Sequence, residues 1–308
     1  MRLRLSPIVA VGLVGSMLAI APRVIAADTE IVANSEAFEN REISEGAVSV
    51  SVSYTPYDFE TVEEFTDNLS YQISYDGVPY LTDSQSTFYN GVVSLNDLDN
   101  DGNAEVIVET YSGGAHCCTT FLIYSWQGSD FAKTETGFLD GGGGVFEDID
   151  GDGRAEFSTF DQSFLYAFSS YAGSFPPSLI LSFQDGQFQD VTLNYTDQLR
   201  STAWRMYENI LQAEQQDYEI NGVLAGYVAQ KIRLGEYEEG WAFMLAHYDA
   251  TTDWGLDIYD DQGNPVGQYP DYPTALASFL QELGYLDADG QPNPEVDRAP
   301  HAVDAVEP

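Results

Sequence analysis

The sequence predicts an α+β protein: a β-rich region, residues 47–195, followed by a smaller, mostly helical region, residues 196–286. Three observations predict it. Apolar residues alternate with period two through most of the first region, between turn dipeptides. They recur at helical spacing through most of the second. An acidic nine-residue pattern occurs twice in the first region, each time running straight into an apolar stretch.

The strands come first. Val48, Val50 and Val52 alternate with Ser49, Ser51 and Ser53. Residues 54–67 are an acidic loop. Leu69, Tyr71, Ile73 and Tyr75 alternate up to Asp76-Gly77, a tight-turn signal, and Val78–Leu81 is the returning strand. Further strands are predicted at Gly91–Leu95, Glu105–Tyr111, Thr119–Trp126, Ala155–Phe160, Leu179–Phe183 and Phe188–Leu193, with Asp185-Gly186 turning the last pair. Then the period changes. Leu199, Ala203, Met206, Tyr207, Ile210 and Leu211 share one helical face, and Ile220, Val223, Leu224, Tyr227 and Val228 share another, before Gly235. Tyr237, Trp241, Met244, Leu245 and Tyr248 mark a third helix. Asp257–Tyr259 and Val266–Gln268 form a small hairpin, and a last helix runs from near Pro273 to Gly284.

The ends are different. Arg2 and Arg4, an apolar stretch from Pro7 to Ala21 and the small-residue pattern Val24-Ile25-Ala26 predict a secretory signal peptide, residues 1–26. The mature chain is then secreted or periplasmic, with no membrane span, because no other apolar run is long enough. Residues 27–46 are acidic and aperiodic, and 287–308 are rich in Pro, Asp and Ala; both are predicted to be disordered, as linker and tail.

Charge restricts the partners. The chain has 50 acidic and 11 basic residues, a net charge of −39. Such a surface repels nucleic acid and anionic membranes, which bind through Lys and Arg, and it attracts divalent cations. Hydrophobic residues at 44% and aromatics at 13% still suffice to build a core.

The duplicated pattern carries the most chemistry. Asp97, Asp99, Asp101, Gly102, Asn103 and Glu105 fall at positions one, three, five, six, seven and nine of D-x-D-x-D-G-x-x-E. Asp148, Asp150, Asp152, Gly153, Arg154 and Glu156 repeat it. Calcium is a hard cation that takes about six to eight oxygens. Alternate carboxylates wrap a small loop around it, Gly permits the sharp turn, Asn103 or Arg154 supplies a backbone carbonyl, and the Glu closes the shell. Without a cation, four clustered carboxylates repel one another. These are not EF-hands, which need a bidentate Glu at position twelve, here Val108 and Thr159, and flanking helices. The expected cofactor is Ca²⁺, in both loops; Mg²⁺ resists dehydration and seldom uses such cages.

The loops resemble those of FG-GAP/VCBS repeats, the calcium-bearing units of integrin-type β-propellers. That resemblance implies a propeller-like domain, with degenerate blades at 47–90 and 160–193, because a propeller needs at least about four blades. A wider resemblance, to a group of exported cyanobacterial proteins, rests on the run Asp97–Trp126 with Gly113-Gly114-Ala115-His116-Cys117-Cys118, on Phe168-Ser169-Ser170-Tyr171-Ala172, Asp190-Val191-Thr192, Leu224-Ala225-Gly226-Tyr227-Val228-Ala229 and Tyr285-Leu286. It implies compartment and calcium and adds no reaction.

Cys117 and Cys118, the two cysteines, are adjacent, so no long-range disulfide framework exists within one chain. A disulfide between them would make a rigid turn in an oxidising compartment. A soft-metal site with His116, a redox thiol and free buried thiols are the alternatives. Catalytic tools are few: His116, His247 and His301, Lys133 and Lys231, no G-x-S-x-G elbow, and a Gly141–Gly144 run lacking the Lys-Ser/Thr of a phosphate loop. Three functions follow. One is a calcium-stabilised binding or structural module, its ligand a glycan or protein. The others are a hydrolase of an extracellular polymer using paired carboxylates, and a redox or metal-handling protein using Cys117 and Cys118.

Overall fold

The computed structural model describes residues 30–60, 65–216 and 218–300. The signal peptide predicted at 1–26 lies outside them. The first sheet is an antiparallel meander of β2 (Phe38–Glu45), β3 (Val48–Tyr54), β4 (Leu69–Tyr75) and β5 (Val78–Gln85), with β1 (Glu30–Ala33) preceding it in the chain. The second sheet holds β6 (Gly91–Asn96), β7 (Glu105–Tyr111), β8 (Cys117–Trp126), β9 (Phe131–Glu135) and the two-residue β10 (Leu139–Asp140), with β1 added on the β6 edge. The third is β11 (Val145–Glu147), β12 (Glu156–Phe160), β13 (Ser178–Gln184) and β14 (Gln187–Asp190).

The second sheet is the middle layer, because its strands are apolar on both faces. Val106, Val108, Leu122 and Tyr124 share a core with Val50, Val52, Leu69 and Ile73 of the first sheet. Their chain neighbours Ile107, Phe121 and Ile123 share another with Phe157, Leu181 and Phe188 of the third. Period-two alternation places successive side chains on opposite faces, so β7 and β8 serve both cores at once.

Two expectations about order are corrected. Residues 30–45, expected as disordered linker, supply β1 and β2. β2 is an edge strand with one fully buried side chain, Ile43, so it has no alternation to detect, and its charges guard the edge. The tail, expected to be disordered from Asp287, is ordered as far as residue 300: Leu286 bridges Pro292, and Val296 and Ala299 are buried. The propeller is corrected as well. Among the described residues the strands form three open sheets and a small hairpin, with no closed ring. Residues 160–193 contribute β13 and β14 to the third sheet instead of a blade of their own, and the chain turns helical before a fourth large sheet is made.

The helical part is α1 (Thr196–Gln216), α2 (Asn221–Arg233), α3 (Tyr237–His247) and α4 (Tyr272–Glu282), with the hairpin β15 (Asp257–Tyr259) and β16 (Pro265–Gln268) between the last two helices. α1 buries Leu199, Ala203, Met206 and Ile210 at helical spacing. α2 is buried on every side, so its polar residues need partners. Gln230 accepts from the Ser178 amide at 2.9 Å and donates to the Leu199 carbonyl at 3.0 Å, tying β13, α2 and α1 together. At Gly226 only hydrogen fits, because a Cβ would overlap the Phe175 carbonyl. α4 begins at the Asp271 cap, whose carboxylate accepts from the Thr274 amide at 2.9 Å, and ends before Gly284 at φ +81°. No described helix is long and apolar enough to cross a membrane.

Candidate metal centres

Both acidic loops are hairpin connections in equivalent places. The first joins β6 to β7, the second joins β11 to β12. In each, the residue just before the first Asp pairs across the ladder with the Glu at position nine: Asn96 with Glu105, Glu147 with Glu156. The register thus brings the ninth residue back to the first.

The local bonds repeat as well. Asp97 accepts from the amides of Asp101 and Gly102 at 3.0 and 2.9 Å. Asp148 accepts from Asp152 and Gly153, both at 3.1 Å. The Asp101 carboxylate accepts from the Asn103 amide at 2.7 Å, and the Asp152 carboxylate from the Arg154 amide at 2.8 Å. The closing Glu reaches back: Glu105 accepts from the Leu98 amide at 2.9 Å and Glu156 from Ile149 at 3.1 Å. Position six is left-handed in both, Gly102 at φ +93° and Gly153 at +90°. Position four is left-handed too, Asn100 at +59° and Gly151 at +80°. Its signal in the sequence is that Asn and Gly are the residues that tolerate this region.

Carboxylate oxygens of Asp97, Asp99 and Glu105 lie within 4.8 Å of one another, as do those of Asp148, Asp150 and Glu156. Asp101 and Asp152 stand outside these triads, each holding the amide of position seven. Asn103 is fixed by its side chain, which accepts from the Tyr75 hydroxyl at 2.9 Å. The loops also touch each other, since the Ala155 amide donates to the Leu98 carbonyl at 3.0 Å.

Electrostatics single out the floor of each site. Glu105 and Glu156 are 3% and 4% exposed. Burial first, and then Asp99, Asp101 and Asp97 nearby, push the Glu105 carboxyl up to about 8, against the opposing Leu98 amide. Asp99 is raised by burial and by Asp101. Among the described residues, no salt bridge involves a loop carboxylate. The second site has a neighbour that the periodicities did not reveal, Tyr195, whose hydroxyl is raised by burial and by a hydrogen bond to Glu156.

The cysteines open β8, with their sulfurs brought together. The Cys118 amide donates to the Ser112 hydroxyl at 2.6 Å. His116 is occupied on all sides. Nδ1 meets Asp140 at 2.8 Å, Nε2 meets the Tyr166 hydroxyl at 2.8 Å, and the ring stacks on Tyr171 at 4.0 Å. A carboxylate only accepts, so Nδ1 is the donor to Asp140. Both ring nitrogens of His116 are thus engaged by Asp140 and Tyr166 rather than by the sulfurs. His247 bonds Glu214 at 2.7 Å and stacks on Phe243, a packing role.

Residues 199–284 match the family model of the sll0997 C-terminal domain. Over 259 residues the chain is 38% identical to the probable thylakoid lumen protein sll0997 of Synechocystis sp. (strain ATCC 27184 / PCC 6803 / Kazusa), covering 81% of this chain and 76% of that one. Over 196 residues it is 33% identical to the uncharacterized protein y4bJ of Sinorhizobium fredii (strain NBRC 101917 / NGR234), covering 59% of this chain and 30% of that one. No solved structure matches.

Proposed function

The chain belongs to the sll0997 family, and on that footing we propose that it is an exported binding or structural module whose two acidic loops each hold a structural calcium ion. The observation that carries this reading is the repeated triad: two loops in equivalent hairpins, each gathering positions one, three and nine around a buried Glu. Asp97, Asp99 and Glu105 would give oxygens to one ion, and Asp148, Asp150 and Glu156 to the other. Asp101 and Asp152, with the carbonyls of Asn103 and Arg154, would complete the shells, as in the FG-GAP/VCBS loops they resemble. The ion joins the two strands of a hairpin at their ends and offsets repulsion that no side chain offsets. It supplies rigidity rather than a reaction.

The rival readings have less behind them. A hydrolase with paired carboxylates needs two acids facing a cleft; two adjoining clefts beside α1 are lined by none, and in a third, lined by Asp190, Glu295 and Asp297, Asp190 is already paired with Arg233. For Cys117 and Cys118 we propose a disulfide-closed turn, to be checked by intact mass of the unreduced protein; a mass corresponding to two free thiols would refute it. The calcium reading is tested by thermal melts of the mature protein in calcium and in EDTA, with calorimetric titration of the stripped protein. Two bound ions and a higher melting temperature in calcium are expected. Identical melts with no calcium heat would remove the reading.

A further inference from the structure

We propose that the cleft between the third sheet and α1 binds a small organic carboxylate, held at its charged end by Arg205. Two adjoining cavities of about 470 and 480 Å³ lie there and share Thr159, Phe160, Ser178, Thr202 and Arg205. Their size falls in the range of small-molecule sites.

The charge of the lining is the first argument. The chain has 50 acids and 11 bases, yet neither cavity is lined by a carboxylate, and Arg205 is the one charged side chain in either. Arg205 forms no salt bridge among the described residues, although several other arginines do. Its guanidinium donates to the Thr202 hydroxyl at 3.0 Å and lies 6.0 Å from the centre of the Phe175 ring. Most of its donors remain to engage a planar anion, the geometry that suits carboxylate.

The second argument is the hydroxyl beside it. Thr202 is buried and accepts from both Arg205 and the Ser178 hydroxyl, each at 3.0 Å. Two donors use both of its acceptor positions, so its own proton is left to give. A guanidinium and a hydroxyl proton then stand side by side at the edge of both cavities.

The third argument is the wall. Gly143 and Gly144 border the cleft where side chains could not be accommodated: a Cβ would lie 2.9 Å from Phe121 at Gly143 and 2.5 Å from Phe157 at Gly144. These two glycines are packed against the rings behind them and offer the cleft bare backbone. Phe160, Phe175, Leu165 and Ile180 supply apolar surface, between the neutral polar side chains of Ser158, Thr159, Ser174 and Gln198. One cationic side chain and apolar walls fit a monoanion with an apolar body better than a polyphosphate, which calls for several cations.

This inference names a ligand class for the binding module proposed above, yet uses none of the loop carboxylates. The test is calorimetric titration of the mature protein, in calcium, with benzoate, benzyl alcohol and phenyl phosphate as probes. Benzoate is expected to bind, and Arg205→Gln to weaken it at least about tenfold, the loss of a charged hydrogen bond. Arg205→Lys falls between, and Arg200→Gln, an exposed arginine on the same helix paired with Glu236 at 3.0 Å, leaves binding unchanged. Arg205 is exposed, so its variants should fold, and their melts verify it. The proposal is overturned if benzoate shows no binding at millimolar concentration, if benzyl alcohol binds as tightly, if phenyl phosphate binds more tightly, or if Arg205→Gln binds like the parent. Loss of the calcium effect on the melt with benzoate binding intact would remove only the loop reading.

Discussion

Carboxylates gather in two regions of this molecule, and the two are neutralised differently. At the junction of the third sheet and the helices, Asp190 meets Arg233 at 2.7 Å with both side chains almost wholly buried. Nearby, Asp161 receives Arg298 at 2.8 Å and the Tyr285 hydroxyl at 3.0 Å. Both of these acids have an arginine brought from a distant part of the chain. In the loops, the triads at Asp97 and Asp148 have backbone amides and no cationic side chain. Two of the few arginines, Arg233 and Arg298, neutralise acids at the junction, whereas Arg154, inside the second loop, forms no salt bridge with a loop carboxylate among the described residues. On the reading proposed here, the compensation for the loops comes from a bound divalent cation, whose preference for oxygen ligands suits that geometry.

The largest effect should come from breaking the junction. Arg233→Met leaves Asp190 buried without its ion pair and is expected to cost about 3–5 kcal/mol in urea unfolding. Adding Asp190→Leu should recover part of this, because a paired charge and a packed apolar pair are close in energy. The loss should be the same in calcium and in EDTA. A cost that depends on calcium would mean that the two regions are not independent.

Calcium removal from a single loop ranks next. With free calcium at about 10–100 times Kd, each loop contributes about 1.4–2.7 kcal/mol, which EDTA abolishes. Asp97→Asn with Asp148→Asn should melt alike in both conditions, at the temperature of the stripped parent. If that double variant keeps the calcium shift, the ions sit elsewhere.

Acid gives a third separation, run in EDTA so that only the chain titrates. Burial favours a raised Asp190, but the Arg233 charge, and hydrogen bonds from Arg233, Thr192 and the Arg298 amide, outweigh it and hold the group below the ordinary 3.8. A lowered folded value contributes stability that is full above 3.8 and is lost as pH falls through the folded value. Wild type should therefore lose stability more steeply below that pH than Arg233→Met/Asp190→Leu. Parallel curves would mean that Asp190 is not the titrating group.

The two regions also differ in how far the sequence discloses them. The loops are legible because each is contiguous: nine residues hold the carboxylates, the turn glycine and the start of the next strand. β3, β4, β7 and the four helices are legible for the same reason, since one face of each repeats at a fixed spacing. The junction is not, because Asp161, Asp190, Arg233 and Arg298 are joined only by the fold. The tail looks disordered by composition, yet the Arg298 guanidinium and amide order it by bonding Asp161 and Asp190. Nor does the repeated loop imply a closed propeller: a hairpin that can carry the motif needs only two strands, and neither ring closure nor blade number is encoded in it. The cleft at Arg205 is assembled from β12, β13, α1, the glycine run and residues 165–176, five segments that no local pattern relates.

The smallest effect tests whether the loops are as alike as their bonds suggest. Position four is left-handed in both, but it is Asn100 in one and Gly151 in the other. A Cβ at Gly151 meets nothing within 4 Å, so a substitution there is opposed by backbone conformation alone. Gly151→Ala should cost about 1 kcal/mol and Gly151→Asn less, because Asn tolerates this region. Asn100→Ala should lose a similar amount, whereas Asn100→Gly should lie within about 0.5 kcal/mol of the parent. These are backbone terms, so they should appear in EDTA as fully as in calcium. A cost seen only with calcium would show that position four is set by the ion, and the loops would then be shaped by their cargo rather than built to receive it.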